Sequence, residues 1–221
     1  MSPSRLTLFA ALAVACIAWS LPVMYAETVR LNHQSILQEI RDGKTLPKPA
    51  ALNAAIARYD SAIGRLPCIM PLHEELGLLV ALRTDSIMQS QDLNAQADAL
   101  DAMDRTLTNL LVCTPTNGKA WLDLAMINVY REGFSKRSAQ AYVMSGKVSP
   151  VESWLAEKRL IFILPFASLL DANGHKTITN DLATLDVAHP NHMSAVMAAA
   201  KVDSKAALAS MLGQSNPTAA P

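Results

Sequence analysis

Several groups of side chains have the types that metal or acid–base chemistry needs, and none has the full spacing. His73-Glu74-Glu75 carries the composition of a zinc-protease helix. That chemistry needs a second His one turn on, where this chain has Gly77, so the triplet reads as a solvated helix face. His189 and His192 flank Pro190-Asn191, with His175 upstream, and read more simply as a proline-containing turn between helices than as a ligand set. Asp98, Asp101 and Asp104 recur every three residues, as the outer face of a helix whose other side is leucine. No Gly-x-Ser-x-Gly elbow, cysteine nucleophile with a histidine, or glycine-rich phosphate cradle stands out. The expectation is a chain that is not an enzyme, with no catalytic residues, no metal and no cofactor.

Two cysteines, Cys68 and Cys113, each follow an expected helix, in RLPC and LLVC, at the same place in successive hairpins. Outside the cytoplasm such a pair can oxidise; the alternative is two buried thiols. A disulfide is the preferred reading, and closing a loop of about 45 residues would stabilise the fold by about 4 kcal/mol in the chain-entropy model.

These residues sit on helices. Of the 221 residues 51% are hydrophobic, the excess being Ala, Leu and Met, with eight Gly and few aromatics. Leu52, Ile56, Tyr59, Ile63 and Leu66 step by four and three, placing them on one helix face. Pro71 opens the next helix, with Leu72, Leu76, Leu79 and Val80 as its stripe. Asp92 caps a third, whose stripe is Leu93, Ala97, Leu100, Met103, Leu107, Leu110 and Leu111. Ser135 begins a helix after Gly133. Ser149-Pro150-Val151-Glu152 has capping-box spacing at the head of a helix over 151–170, apolar on every face at 160–166 and kinked at Pro165. Asp171 to Gly174 stops it, and two helices, 177–188 and 193–212, lead to a disordered tail over 213–221.

The N-terminus is of another kind. Residues 6–25 carry no charge, follow Arg5 and precede Glu27 and Arg30, a run long enough to cross a bilayer. It is either an uncleaved anchor or a signal peptide cut near Ala26. Met24 and Tyr25 make a poor small-x-small site, which favours the anchor. Ala13-Val14-Ala15-Cys16 only faintly suggests a lipoprotein box. The segments are then an anchor over 1–26, a short helix and proline-containing linker over 27–49, a helical domain over 50–212 and the tail. Nineteen basic and nineteen acidic residues, mixed along the chain, leave no electrostatic footprint for nucleic acid.

Between Ala120 and Trp154 the pattern sharpens. Trp121, Leu124, Ala125, Tyr130, Gly133, Ala139, Tyr142 and Pro150 resemble a degenerate tetratricopeptide repeat, with Trp154 following Trp121 at a repeat-like distance. Asn128 stands where that family's helix-A aromatic would be unless Tyr130 takes the role. The resemblance implies an all-α fold, antiparallel helical hairpins stacked as a short array, with Trp121, Leu124, Ala125, Tyr142, Pro150 and Trp154 as repeat core. The segment is also similar to accessory proteins of bacterial envelope and exopolysaccharide assembly. That similarity implies a single-pass inner-membrane protein whose body lies in the periplasm and docks a protein partner. Lys119, Tyr130, Arg131 and Arg137 are the candidate contacts. With Lys136, the basic tip could instead meet an anionic glycan or lipid head group.

Overall fold

The computed structural model describes residues 3–42, 47–66, 68–189, 195, 196 and 198. The expected helix over 193–212, apart from those isolated positions, lies outside these residues, as do the tail, Gly43, Pro67 and His192. No strand occurs among the described residues, and the chain divides into two compact units at Cys113/Thr114.

The first unit holds α1 (Pro3–Arg41), α2 (Pro49–Ile63), α3 (Met70–Met88) and α4 (Leu93–Cys113). α1 is one helix, not an anchor followed by a separate short helix, and it runs through Pro22. Its character changes at residue 26. From Leu12 to Tyr25 the side chains are uncovered apart from the half-buried Pro22, with Trp19 82% exposed, whereas Ala26, Val29, His33 and Leu37 are buried at three- and four-residue steps against α2 and α3. The apolar part of α1 is long enough to cross a membrane. The remainder is a docking face.

Short connections make α2, α3 and α4 successive neighbours. α2 buries Leu52, Ala55, Ile56, Tyr59 and Ala62, close to the predicted stripe, with Ala62 taking the place of Ile63. Asp92 caps α4 as expected, its carboxylate accepting from the backbone N–H groups of Asn94 and Ala95. The α4 stripe holds from Ala99 to Leu111, while Leu93 and Ala97 remain exposed. α3 has neighbours on several sides and buries polar residues as well. His73 and Glu75 are 5% and 7% exposed, so the reading of this triplet as a solvated face is corrected. Glu75 survives burial because Arg30 and Tyr59 both donate to it.

The second unit holds α5 (Gly118–Glu132), α6 (Lys136–Val148), α7 (Ser153–Ile163), a 3-10 helix (Leu164–Leu169) and α8 (Ala172–Ala188). α5 and α6 form one hairpin and α7 and α8 another, with α6 against α8. Gly133 closes α5 at φ 78°, a left-handed turn that favours glycine, and Ser135 opens α6 with a reciprocal capping box to Ser138. Phe134, between them, stacks on Phe166 at 4.9 Å and ties the hairpin tip to the 3-10 turn.

The capping box expected at Ser149 and Glu152 does not form: Ser149 is instead the C-cap of α6, and Glu152 precedes α7 without a side-chain cap. α7 therefore starts three residues later than Pro150. That shift turns Leu155 and Ala156 inward and leaves Trp154 47% exposed, its ring under the Lys158 ammonium. Trp154 and Pro150 are surface residues, not repeat core. Asp171 starts a helix rather than ending one, its carboxylate accepting from Gly174 N–H. The apolar run near Pro165 is mostly interior, with Leu160, Ile163, Leu164 and Ala167 buried, and Pro165 heads a 3-10 turn instead of kinking a continuous helix.

Among the described residues one ion pair is wholly interior. Arg159 on α7 donates to the Asp181 carboxylate on α8 from Nε and Nη2; Nη2 also meets the carbonyl of Ser149, and Nη1 meets the carbonyl and hydroxyl of Ser145. Burial pushes the Asp181 carboxyl above the usual range, and Arg159 offsets only part of that. The Tyr142 hydroxyl is pushed up as well, first by burial and then by the Asp181 charge. Ser145 donates to the carbonyl of Gly118, 2.7 Å away, which brings the start of α5 against the end of α6. A Cβ on Gly118 would lie 2.6 Å from that of Ser149, so the approach requires glycine.

Candidate functional site

Within the second unit, α5, α6 and the start of α8 enclose a groove of about 550 Å³. Trp121 and Leu124 line it from α5, Val143 and Met144 from α6, and its charged lining residues are Lys136, Arg137 and Asp171. Trp121 is held in place: its indole N–H donates to the carbonyl of Pro115 at 2.8 Å, which fixes the ring while leaving its face partly open. α6 is fixed at both ends, by the Ser135 capping box and by the buried Arg159 beneath Ser145 and Ser149. The result is an apolar cleft on a rigid hairpin, a shape suited to an apolar side chain with an acidic neighbour.

The expected contact residues divide. Arg137 lines the groove. Lys119 is engaged by Asp123 one turn along α5, and Tyr130 and Arg131 are exposed near the C-terminal end of α5, outside the groove lining. Of the expected repeat core, Leu124, Ala125 and Tyr142 are buried, and Trp121 is half-buried. Asn128, one turn beyond Leu124, is fully buried with neither its amide nitrogen nor its amide oxygen hydrogen-bonded among the described residues. Val143, Met144, Asp171 and Asn173 were missed as groove residues because three helices have to meet before they share a surface.

A second cluster lies in the first unit. Cys68 and Cys113 form a disulfide, with Cα atoms 5.3 Å apart. The Nε2 of His73 is 3.3 Å from Cys113 Sγ. The sequence offered one sign of this, since His73 lies one turn into the helix that follows Cys68. Burial lowers the His73 pKa, so the ring is held neutral. Donor atoms of Cys68, His73 and Cys113 lie within 4.8 Å of one another, a soft set in composition. With both sulfurs bonded to each other, neither has a thiolate charge to give a metal. His175 is also committed, its Nε2 3.0 Å from the carbonyl of Ala167.

Comparison with protein-family models, with curated proteins and with solved structures finds no match. The two sites are therefore read from their own geometry.

Proposed function

We propose that this chain is a non-catalytic adaptor, tethered to a bacterial inner membrane by α1 with its body in the periplasm. In this reading it docks a protein or peptide partner of an envelope complex, exopolysaccharide assembly being the setting its sequence resemblance suggests. The observation that carries the reading is the Trp121 groove, an apolar floor with Lys136 and Arg137 at its rim. A peptide that inserts an apolar side chain between Trp121 and Val143 and sets an acidic residue against the rim gains both burial and charge complementarity. The uncovered apolar stretch of α1 and the Cys68–Cys113 disulfide support the membrane and compartment parts.

The test is chemical crosslinking of the full-length protein in membranes, with mass spectrometry of what is captured at Lys136. One reproducible envelope protein is expected, lost when Val143→Glu puts a carboxylate into the groove. Capture that survives Val143→Glu would remove the groove from the reading.

A second reading follows from an aromatic face beside two cations in the same groove: an anionic polysaccharide or lipid head group as ligand. Retention on an anionic polysaccharide matrix that disappears in Lys136→Glu would put it ahead of the adaptor.

A further inference from the structure

The two sulfurs of the disulfide are not equivalent. Cys68 lies in the connection before α3 and is exposed, whereas Cys113 is the last residue of α4 and is half-buried. The half-buried sulfur is the one that faces His73, itself 5% exposed and aimed with Nε2 at Cys113 Sγ from 3.3 Å. A disulfide sulfur is a poor hydrogen-bond acceptor, so an imidazole N–H placed there gains little while the bond is intact. It gains much more once that sulfur carries a charge. An interaction that strengthens only after bond cleavage is what stabilising a leaving group requires.

We propose that Cys68–Cys113 is a thiol-exchange centre: an incoming thiolate attacks Sγ of Cys68, Cys113 departs as thiolate, and His73 holds the departing charge. The co-reactant is a dithiol, small or on a protein. In the first step its thiolate sulfur bonds to Cys68 Sγ as the Cys68–Cys113 bond breaks, and that bond's electron pair goes to Cys113 Sγ. In the second step the partner's other sulfur, as thiolate, attacks its own sulfur in the mixed disulfide. The partner leaves as a disulfide and Cys68 leaves as a thiolate. Two electrons pass from the partner to the protein, and the two cysteine sulfurs take up two protons from solvent. His73 donates from Nε2–H as a neutral ring throughout. Access and leaving-group stability both set exchange rates, and here they select the same direction of attack. This site is separate from the Trp121 groove and does not depend on the adaptor reading.

The experiment uses the full-length protein in detergent with reduced glutathione as the attacking thiol, quenched in acid at early times and read by peptide mass spectrometry. Glutathione is expected on Cys68, with Cys113 as the free thiol. His73→Leu should slow the first adduct about tenfold through loss of a hydrogen bond to a charged sulfur, and His73→Gln, which keeps an N–H at similar reach, should stay within about threefold of the parent. Circular dichroism checks that both variants keep their helix content. Should the Leu variant not fold, the position of the first adduct on the unaltered protein and the rate of the Gln variant decide. Adduct shared equally with Cys113, a Leu variant that folds and exchanges at the parent rate, or a Gln variant that folds but is slowed about tenfold or more would overturn the proposal. So would no adduct at glutathione levels that open a reference labile disulfide.

Discussion

The Arg30 guanidinium grips the Glu75 carboxylate with two nitrogens, Nε at 3.1 and 3.2 Å and Nη2 at 3.0 Å, joining α1 to α3 across 45 residues of sequence. Tyr59 of α2 donates to the same carboxylate at 2.8 Å, so one acidic side chain collects three helices. Glu75 is 7% exposed, and the pair is sheltered on that side only, since the Arg30 side chain is 31% exposed.

Replacing Glu75 with Ala therefore strands the Tyr59 hydroxyl and an arginine that keeps partial access to water. We expect a loss of about 2 kcal/mol, below the range for breaking a fully buried pair. Urea unfolding of the full chain measures it. Hydrogen exchange should show the amides of residues 26–40 opening first.

The His73 ring makes the first unit sensitive to acid. Its folded pKa is lowered by burial from an ordinary value of 6.5, so between the two values the unfolded chain binds the additional proton. Stability contributed by keeping the ring neutral is present above pH 6.5 and is lost as pH falls through the lowered value. Melting curves at pH 5 and pH 7.5 should separate more for the parent than for His73→Gln.

Asn128 offers the opposite sign. Its amide is buried with neither end paired among the described residues, so folding forfeits its hydration without return. Asn128→Leu, which keeps the same branched skeleton without its polar atoms, should raise stability by about 1 kcal/mol. A lower denaturation midpoint in that variant would point to a polar partner for this side chain.

Removing the disulfide through Cys68→Ser with Cys113→Ser should cost up to about 4 kcal/mol for a closed loop of this length. The loss belongs to the first unit. Limited proteolysis should cut within residues 47–113 earlier than in the parent, while fragments from 114 onward appear on the same schedule.

Local features were the legible ones. The Asp92 cap, the leucine stripe of α4 and the Gly133-Ser135 junction depend on neighbours within a few residues, and each was readable from spacing. The capping box misled where two serines competed. Ser149-Pro150-Val151-Glu152 had the more familiar pattern, but the Ser149 carbonyl is drawn to Arg159 and its backbone ends α6. Ser135, followed three residues on by another serine, formed the box instead. His73 and Glu75 looked solvated because the groups that neutralise or accompany them come from 40 and 45 residues away. Likewise the groove brings Trp121 together with Asp171 of another hairpin, and a period of helical spacing carries no record of which faces will meet.

The unbroken run of α1 has a mechanical meaning. From Leu12 to Tyr25 it extends about 20 Å before its first buried contact at Ala26, and no turn or flexible joint separates the two stretches. Were that stretch held in a bilayer, it would be a lever whose fulcrum is the Arg30–Glu75 clasp. A change in its tilt would then bear directly on α2 and α3, and so on the connection that carries Cys68 and the helix that carries His73.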